Sequence, residues 1–295
     1  MKLEKNVRLF IVEGLPGAGK STTSKYVAGV VERTGKEVIW VDEGTGDHPA
    51  DYEFHSFLRK DELSNFAENE RMEIISHSIE KEDGILVPLK FFSGKVFDHL
   101  LSYKIYDGLA WEKEKMLMLQ KWREFVQQAK KDAIYVFNCC LLQNPMCETM
   151  VRFGYEEKIS TQFIQNIAEI IAPMNPVVIY LQQTDVKSAI HNICKERPED
   201  WVSGVIQYHT EGAYGREHNL KGIDGYINCL EERQRRELRI IQKLPCEKIV
   251  IKDAQNNWDV AYEKISQYII GLLQTETSEG FDSGLTQMVD IPIKK

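Results

Sequence analysis

The stretch Gly14-Leu15-Pro16-Gly17-Ala18-Gly19-Lys20-Ser21-Thr22 constrains this chain more than any other. It has the form G-x-x-x-x-G-K-[ST]. The apolar run Leu9-Phe10-Ile11-Val12 before it reads as a buried strand, and Tyr26, Val27, Val30 and Val31 after it fall on one helical face. Strand, glycine loop and helix form the context in which this pattern binds phosphate. Glycines let successive backbone N–H groups turn toward one anion, and the helix N-terminus adds partial positive charge. Gly14, Pro16, Gly17, Ala18, Gly19, Lys20, Ser21 and Thr22 are therefore the expected nucleotide-binding residues. Lys20 is expected to reach the outer phosphates, and the Ser21 hydroxyl to ligate Mg²⁺.

The rest of the composition narrows the class. The 295 residues carry 45 acidic and 37 basic side chains, a net charge of -8, which argues against a nucleic-acid partner. No apolar run approaches the roughly eighteen residues of a membrane span, and the charged N-terminus leads straight into the first strand, so no signal peptide is expected. The six cysteines include no C-x-x-C pair, and adjacent Cys139-Cys140 suit neither zinc nor a disulfide framework. Reduced thiols and a cytoplasmic location are expected.

Four more strands are expected, at Val38–Val41, Ala133–Phe137, Val177–Leu181 and Lys248–Ile251. Thr34-Gly35-Lys36 stops the first helix. Asp42 and Glu43 end the second strand, where an α/β sheet binds its ligands. Glu43 is the stronger candidate of the two, the competing reading being a cap or solvated turn. Residues 50–131 read as a mainly helical insertion covering the substrate, with Phe54, Phe57 and Leu58 on one apolar face, Met72, Ile75 and Ile79 with Ile74 on another, and residues 84–89 as a short extended piece. Asp185 caps a helix over Val186–Glu196. Residues 198–220 carry three glycines without periodicity and read as a mobile segment. Arg233, Arg235, Arg236 and Arg239 read as the solvated face of a charged helix over 223–244. Asn256 or Asn257 caps the last helix. From Thr275 onward the chain reads as a loose tail, with a docked strand over 288–293.

The block Ile11-Val12-Glu13-Gly14-Leu15-Pro16-Gly17-Ala18-Gly19-Lys20-Ser21-Thr22 resembles the thymidylate kinase and deoxynucleoside kinase branch of the P-loop kinases. The resemblance is specific there, loose elsewhere and absent over 50–131. It implies an α/β P-loop NTPase fold, a three-layer sandwich around a five-stranded, mainly parallel sheet with a helical substrate-covering insertion. It also implies one kinase-like domain over 1–275, with a lid over 197–221 and a tail over 276–295. In that family a carboxylate after the second strand lies near the phosphate-accepting hydroxyl, and Glu43 matches it. An arginine-bearing lid follows the fourth strand, where Lys195, Glu196 and Arg197 fall. The family's D-R or E-R pair at the end of the third strand is here Asn138-Cys139. The amide brings no negative charge to a metal site, which counts against thymidylate as substrate.

The expected activity is therefore ATP- and Mg²⁺-dependent phosphoryl transfer to a small acceptor, nucleoside, nucleotide or similar in size. Lys20, Glu43 and Arg197 would be catalytic, and Ser21 and Asn138 would serve the metal. A homodimer is compatible with the family. The alternatives are a P-loop ATPase or nucleotide-dependent switch acting through a protein partner, and a catalytically silent nucleotide binder. A deep acceptor cleft beside the loop separates the first reading from a switch, which would show a flat apolar patch instead.

Overall fold

The structure is a computed structural model describing residues 6–274. The tail expected from Thr275 onward lies outside the described residues. In chain order the elements used below are β1 (Leu9–Gly14), α1 (Lys20–Glu32), β2 (Glu37–Val41), β3 (His55–Leu58), α2 (Glu68–His77), β4 (Ile79–Lys81), β5 (Gly84–Pro88), α3 (Gly94–Leu101), α4 (Trp111–Gln128), β6 (Ala133–Asn138), α5 (Glu157–Ile171), β7 (Pro176–Gln182), α6 (Val186–Glu196), α7 (Glu199–Glu211), α8 (Gly222–Lys243), β8 (Glu247–Lys252) and α9 (Trp258–Gln274).

The unbroken apolar character of β1 has a direct cause. Successive side chains of a strand point to opposite faces, and both faces of this strand are covered. Leu9 and Ile11 pack with Trp122, Phe163, Ile167 and Ile240, on the side of α4, α5 and α8. Phe10 and Val12 pack with Val27, Val31, Ile265 and Ile269, on the side of α1 and α9. Each such fully buried side chain contributes about 1.5–3 kcal/mol of transfer free energy. The two helical layers with the sheet between them make the expected three-layer sandwich.

All five long strands are parallel, in the order β2-β6-β1-β7-β8. β1 is central, and the chain leaves it in one direction to reach β2 and later crosses it to reach β7. Crevices at such a reversal, beyond the carboxyl ends of the strands, are where α/β sheets bind ligands. Gly14, Val41 and Asn138 end their strands there. Two helix starts follow their sequence signals. The Asp185 carboxylate accepts from the Ser188 N–H at 2.9 Å, and Asn257 Oδ1 accepts from the Val260 N–H at 3.1 Å.

Residues 50–131 are mainly helical, as expected, and also contain strands. They hold a three-stranded antiparallel sheet, order β3-β5-β4, with α2, α3 and α4 around it. Phe57 and Leu58 belong to β3 and are buried, while Phe54 is exposed with φ 51°. Of the expected face, Met72, Ile75 and Ile79 are exposed and Ile74 is buried, while the extended piece over 84–89 is found as β5. This small sheet has its own apolar centre, Leu58, Phe66, Ile74, Ile85, Val87 and Leu100.

Two further expectations are corrected. Residues 198–220 are largely helical, in α7 and a short segment Ala213–Glu217. Arg233 is not on a solvated face: it is 1% exposed, and its Nε donates to Glu237 Oε1 at 2.6 Å. Glu237 in turn accepts from the Tyr180 hydroxyl of β7 at 2.7 Å, which ties α8 to the sheet. Arg236 and Arg239 reach Tyr155 O and Glu157. Of the four, Arg235 keeps the most exposed side chain.

Candidate functional site

The glycine loop leaves β1 and enters α1 at Lys20. Gly17 and Gly19 lie at φ 72° and 88°, conformations that L side chains rarely adopt. Space forbids a side chain at either position as well. A Cβ on Gly17 would lie 1.9 Å from Ile193 Cδ1, and one on Gly19 would lie 2.4 Å from the Trp258 ring. α6 and the start of α9 thus hold the loop between them. Gly19 is the N-cap of α1, with no side-chain cap and no acidic residue in the first turn. The first amides of a helix lack intrahelical acceptors, so this terminus is left open to an anion. The Lys20 ammonium folds back over the loop and donates to Leu15 O at 3.2 Å.

Three side chains, two from strand ends and one from the first turn of α1, meet beside the loop. Asn138 Nδ2 donates to Asp42 Oδ1 at 2.7 Å and to Ser21 Oγ at 3.0 Å. A carboxylate only accepts, so Asp42 fixes the amide with its NH₂ group facing the Ser21–Asp42 pair. An NH₂ group is not a metal ligand. Asn138 therefore stands where expected but presents a donor, and its Oδ1 is buried without a partner among the described residues. Asp42, ranked below Glu43 by sequence reasoning, supplies the carboxylate next to Ser21. Its position as the first residue after β2 was the available signal.

Glu13, inside the motif block, has a role that sequence reasoning missed. Its Oε1 accepts the N–H groups of Leu141 and Leu142, both at 2.8 Å. These bonds hold the turn after β6, in which Cys139 and Cys140 take φ 63° and 80°. The carboxyl is wholly buried, and burial pushes its pKa up to about 7 although the Leu142 N–H, Lys20 and Arg233 pull the other way. The Cys139 thiol is likewise pushed up, first by burial and then by Glu43 and Glu13.

Glu43 opens onto a cleft of about 290 Å³, which also meets Asp51, Glu53, Tyr106, Asp107, Asn144 and Glu148. The Gln143 amide donates to Glu43 Oε1. Asp51 is 4% exposed, and accepts from the Tyr106 hydroxyl, from Asn144 Nδ2 at 2.8 Å and from the Tyr52 N–H at 2.8 Å. Burial raises its pKa to about 7 against the pull of these donors. One wall of the cleft is a π-helical turn, Cys147–Arg152, a distortion frequent at functional sites. Arg152 donates from it to Glu114 and Glu148.

Arg197 is not drawn into this constellation. It is exposed at the end of α6, with its guanidinium 5.5 Å from the centre of the Trp201 ring. No hydrogen bond or ion pair joins it to the loop among the described residues. Lys195 is exposed, and Arg216 donates to Glu211 O.

A parallel sheet in the order β2-β6-β1-β7-β8, with the G-x-x-x-x-G-K-S loop between its central strand and α1, decides the architecture. The chain has the P-loop NTPase fold. No family model and no curated protein matches the sequence. Among solved structures, the chain is similar to a thymidylate kinase from Ehrlichia chaffeensis at 13% identity, over 91% of this chain and 100% of that one, with a TM-score of 0.42. A thymidylate kinase from Candida albicans aligns at 11% identity over 92% of each chain, with a TM-score of 0.38. The strand order and the loop, rather than these distant likenesses, define the P-loop NTPase assignment. Among the described residues no helix is long and apolar enough to cross a membrane.

Proposed function

We propose that the protein is a small-molecule kinase that uses ATP and Mg²⁺. The observation that carries this reading is the pairing of a phosphate loop with a cleft that opens at Glu43, one residue beyond the Asp42 carboxylate. A switch protein would need no such cleft. The glycine loop suits a triphosphate because its two left-handed glycines have no room for side chains and its helix N-terminus is uncapped. Ser21 and Asp42 suit Mg²⁺, which takes a few oxygen ligands from the protein and the rest from phosphates and water. Among the described residues no group of three His, Cys, Asp or Glu offers a full protein cage. Bound there, Mg²⁺ would neutralise charge on the phosphates.

In this reading the loop amides and Lys20 orient the triphosphate. Asn138 holds Asp42 and Ser21 in register and acts by positioning. Glu43, steadied by Gln143, directs the acceptor hydroxyl and takes its proton as transfer proceeds. Most of the catalysis comes from positioning and charge neutralisation, as phosphoryl transfer requires. Arg197 would close over the transferring group only if the segment following α6 moves on binding. The insertion would exclude water, whose attack competes with transfer. The domain reading that goes with this is one kinase-like unit with residues 50–131 inserted and 197–221 as the lid. Lys20→Ala tests the proposal by calorimetry with ATP and Mg²⁺, together with ADP release over a panel of acceptors. Lost binding with an unchanged melting temperature is expected. Unchanged affinity and turnover would remove the loop from the mechanism.

A further inference from the structure

We infer that the acceptor is an unphosphorylated alcohol, and that amine substituents favour its binding while phosphate esters are rejected. The inference rests on the kinase reading and concerns the cleft at Glu43. Five acidic side chains line that cleft, Glu43, Asp51, Glu53, Asp107 and Glu148, against a single lysine, Lys104. Of the five, buried Asp51 has its pKa raised to about 7 and Glu148 is paired with Arg152. Lys104 is already engaged, with its ammonium 3.1 Å from Asp107 Oδ2.

Most of the donor groups around the cleft are each engaged by one of its own carboxylates, and the Tyr208 hydroxyl by Cys147 O. The loop after β2 carries Gly44 and Gly46, whose N–H groups could form a nest for an anion. Both instead donate to Glu53, at 2.7 and 3.3 Å. Tyr106, Asn144 and the Tyr52 N–H serve Asp51. Gln143 serves Glu43. Arg152, behind the wall, is held by Glu114, Glu148 and Leu109 O. The cleft offers a ligand acceptor oxygens and negative charge, which match hydroxyl and ammonium donors. A phosphate dianion would meet like charge and have to compete with the carboxylates for their donors, an arrangement by which sites reject a wrong partner.

The reaction balances without a further reagent. The bond between the γ-phosphorus and its bridging oxygen breaks as one forms to the acceptor hydroxyl oxygen. The hydroxyl proton passes to Glu43, and the nucleoside diphosphate leaves.

The test uses the full chain with a non-hydrolysable ATP analogue and Mg²⁺. Calorimetry compares thymidine, thymidine 5′-monophosphate and 3′-amino-3′-deoxythymidine, and then glucose, glucose 6-phosphate and glucosamine. In a series that binds, the ester should be at least roughly tenfold weaker than its parent, and the amine at least as tight as the parent. In the Glu53→Gln/Asp107→Asn double variant, checked for an unchanged melting profile, the gap between ester and parent should narrow. An ester that binds as tightly as its parent, or an amine that binds more weakly, overturns the inference. If the triphosphate analogue binds in a Lys20-dependent way but no probe does, the inference falls and the phosphate-loop reading stands. If the analogue fails too, both fall.

Discussion

Asn138 and Asp42 face each other at the carboxyl ends of neighbouring parallel strands, with the amide nitrogen 2.7 Å from the carboxylate oxygen. The same amide reaches Ser21 Oγ at 3.0 Å, so one neutral side chain spans the acid and the hydroxyl proposed for the metal. With an acid at position 138 the pair would repel without a cation. The amide lets the site keep its shape when empty, at the expense of one negative charge toward Mg²⁺.

Asn138→Asp exchanges these properties. Without metal the variant loses a charge-assisted hydrogen bond and gains a like-charge contact, a loss of about 1.5–3 kcal/mol. In a chain of this size that lowers the melting temperature by several degrees. Adding Mg²⁺ with a triphosphate should recover more of that loss than it adds to wild type. Melting curves over a Mg²⁺ titration decide the matter. Equal Mg²⁺ dependence in both proteins would separate residue 138 from the metal.

Glu13 gives a pH signature. Unfolded, it ionises near 4.5, and in the folded chain near 7. Between these values the native state keeps a proton that the unfolded state has lost, so stability falls as pH rises. The penalty is absent below 4.5, grows through the window and is complete above 7, on the order of 3 kcal/mol. Buried His48 and His209, each lowered to about 4 chiefly by burial, act with the opposite sign. A comparison with Glu13→Gln isolates the carboxyl, since the amide oxygen can still accept from Leu141 and Leu142. The variant should gain on wild type from pH 4.5 to 7, read as a widening difference in melting temperature. A constant difference would contradict the assignment.

What the sequence made legible follows from the range of the interactions involved. The five long strands and α6 are set by local apolar runs and caps, and each is found within about two residues of its expected place. Strand β3 of the insertion was not legible because Phe57 and Leu58 fit a helical face as well as a short strand. Their pairing with Leu86 and Ile85 lies some thirty residues away. Arg233 was misread for the same reason, since its partner Glu237 sits on the same helix but the layer that buries both does not. At the site, the place of the loop between β1 and α1 and of Glu43 at the end of β2 was legible from motif and position. The Asn138–Asp42–Ser21 contact joins residues 96 and 117 positions apart, which only the sheet order brings together.

The clamp on the phosphate loop predicts a coupled pair. Gly17→Ala puts a Cβ at φ 72° and 1.9 Å from Ile193 Cδ1. The backbone term alone costs about 1–2 kcal/mol. Ile193→Ala removes the clash but not this strain. The double variant should therefore be more stable than the two single losses added together, with a coupling of roughly 0.5–3 kcal/mol. Denaturant melts of the four proteins measure it. Strict additivity would mean that α6 does not press on the loop.

The final prediction concerns Glu43, because it separates a kinase from a nucleotide binder. Glu43 is exposed, follows Asp42 at the end of β2, and receives the Gln143 amide on one carboxylate oxygen. Its other oxygen has no hydrogen-bond partner among the described residues and can meet an acceptor hydroxyl in the cleft. Glu43→Gln keeps size and hydrogen-bonding reach and removes basicity. Acceptor-dependent kcat should fall by roughly 10²- to 10⁴-fold, the range for general-base catalysis. ATP affinity should hold, since the loop amides and Lys20 supply it. The melting temperature should hold as well, because the side chain is exposed. Gln143→Ala should lower kcat less than Glu43→Gln does, since it alters only how the carboxylate is aimed. A Glu43 that merely shaped the turn after β2 would give the reverse pattern, a stability loss of about 1 kcal/mol with normal turnover. ADP release, calorimetry and melting on the same preparations distinguish the two, and an acceptor-independent rate of ADP release in wild type would favour a nucleotide-dependent switch over a kinase.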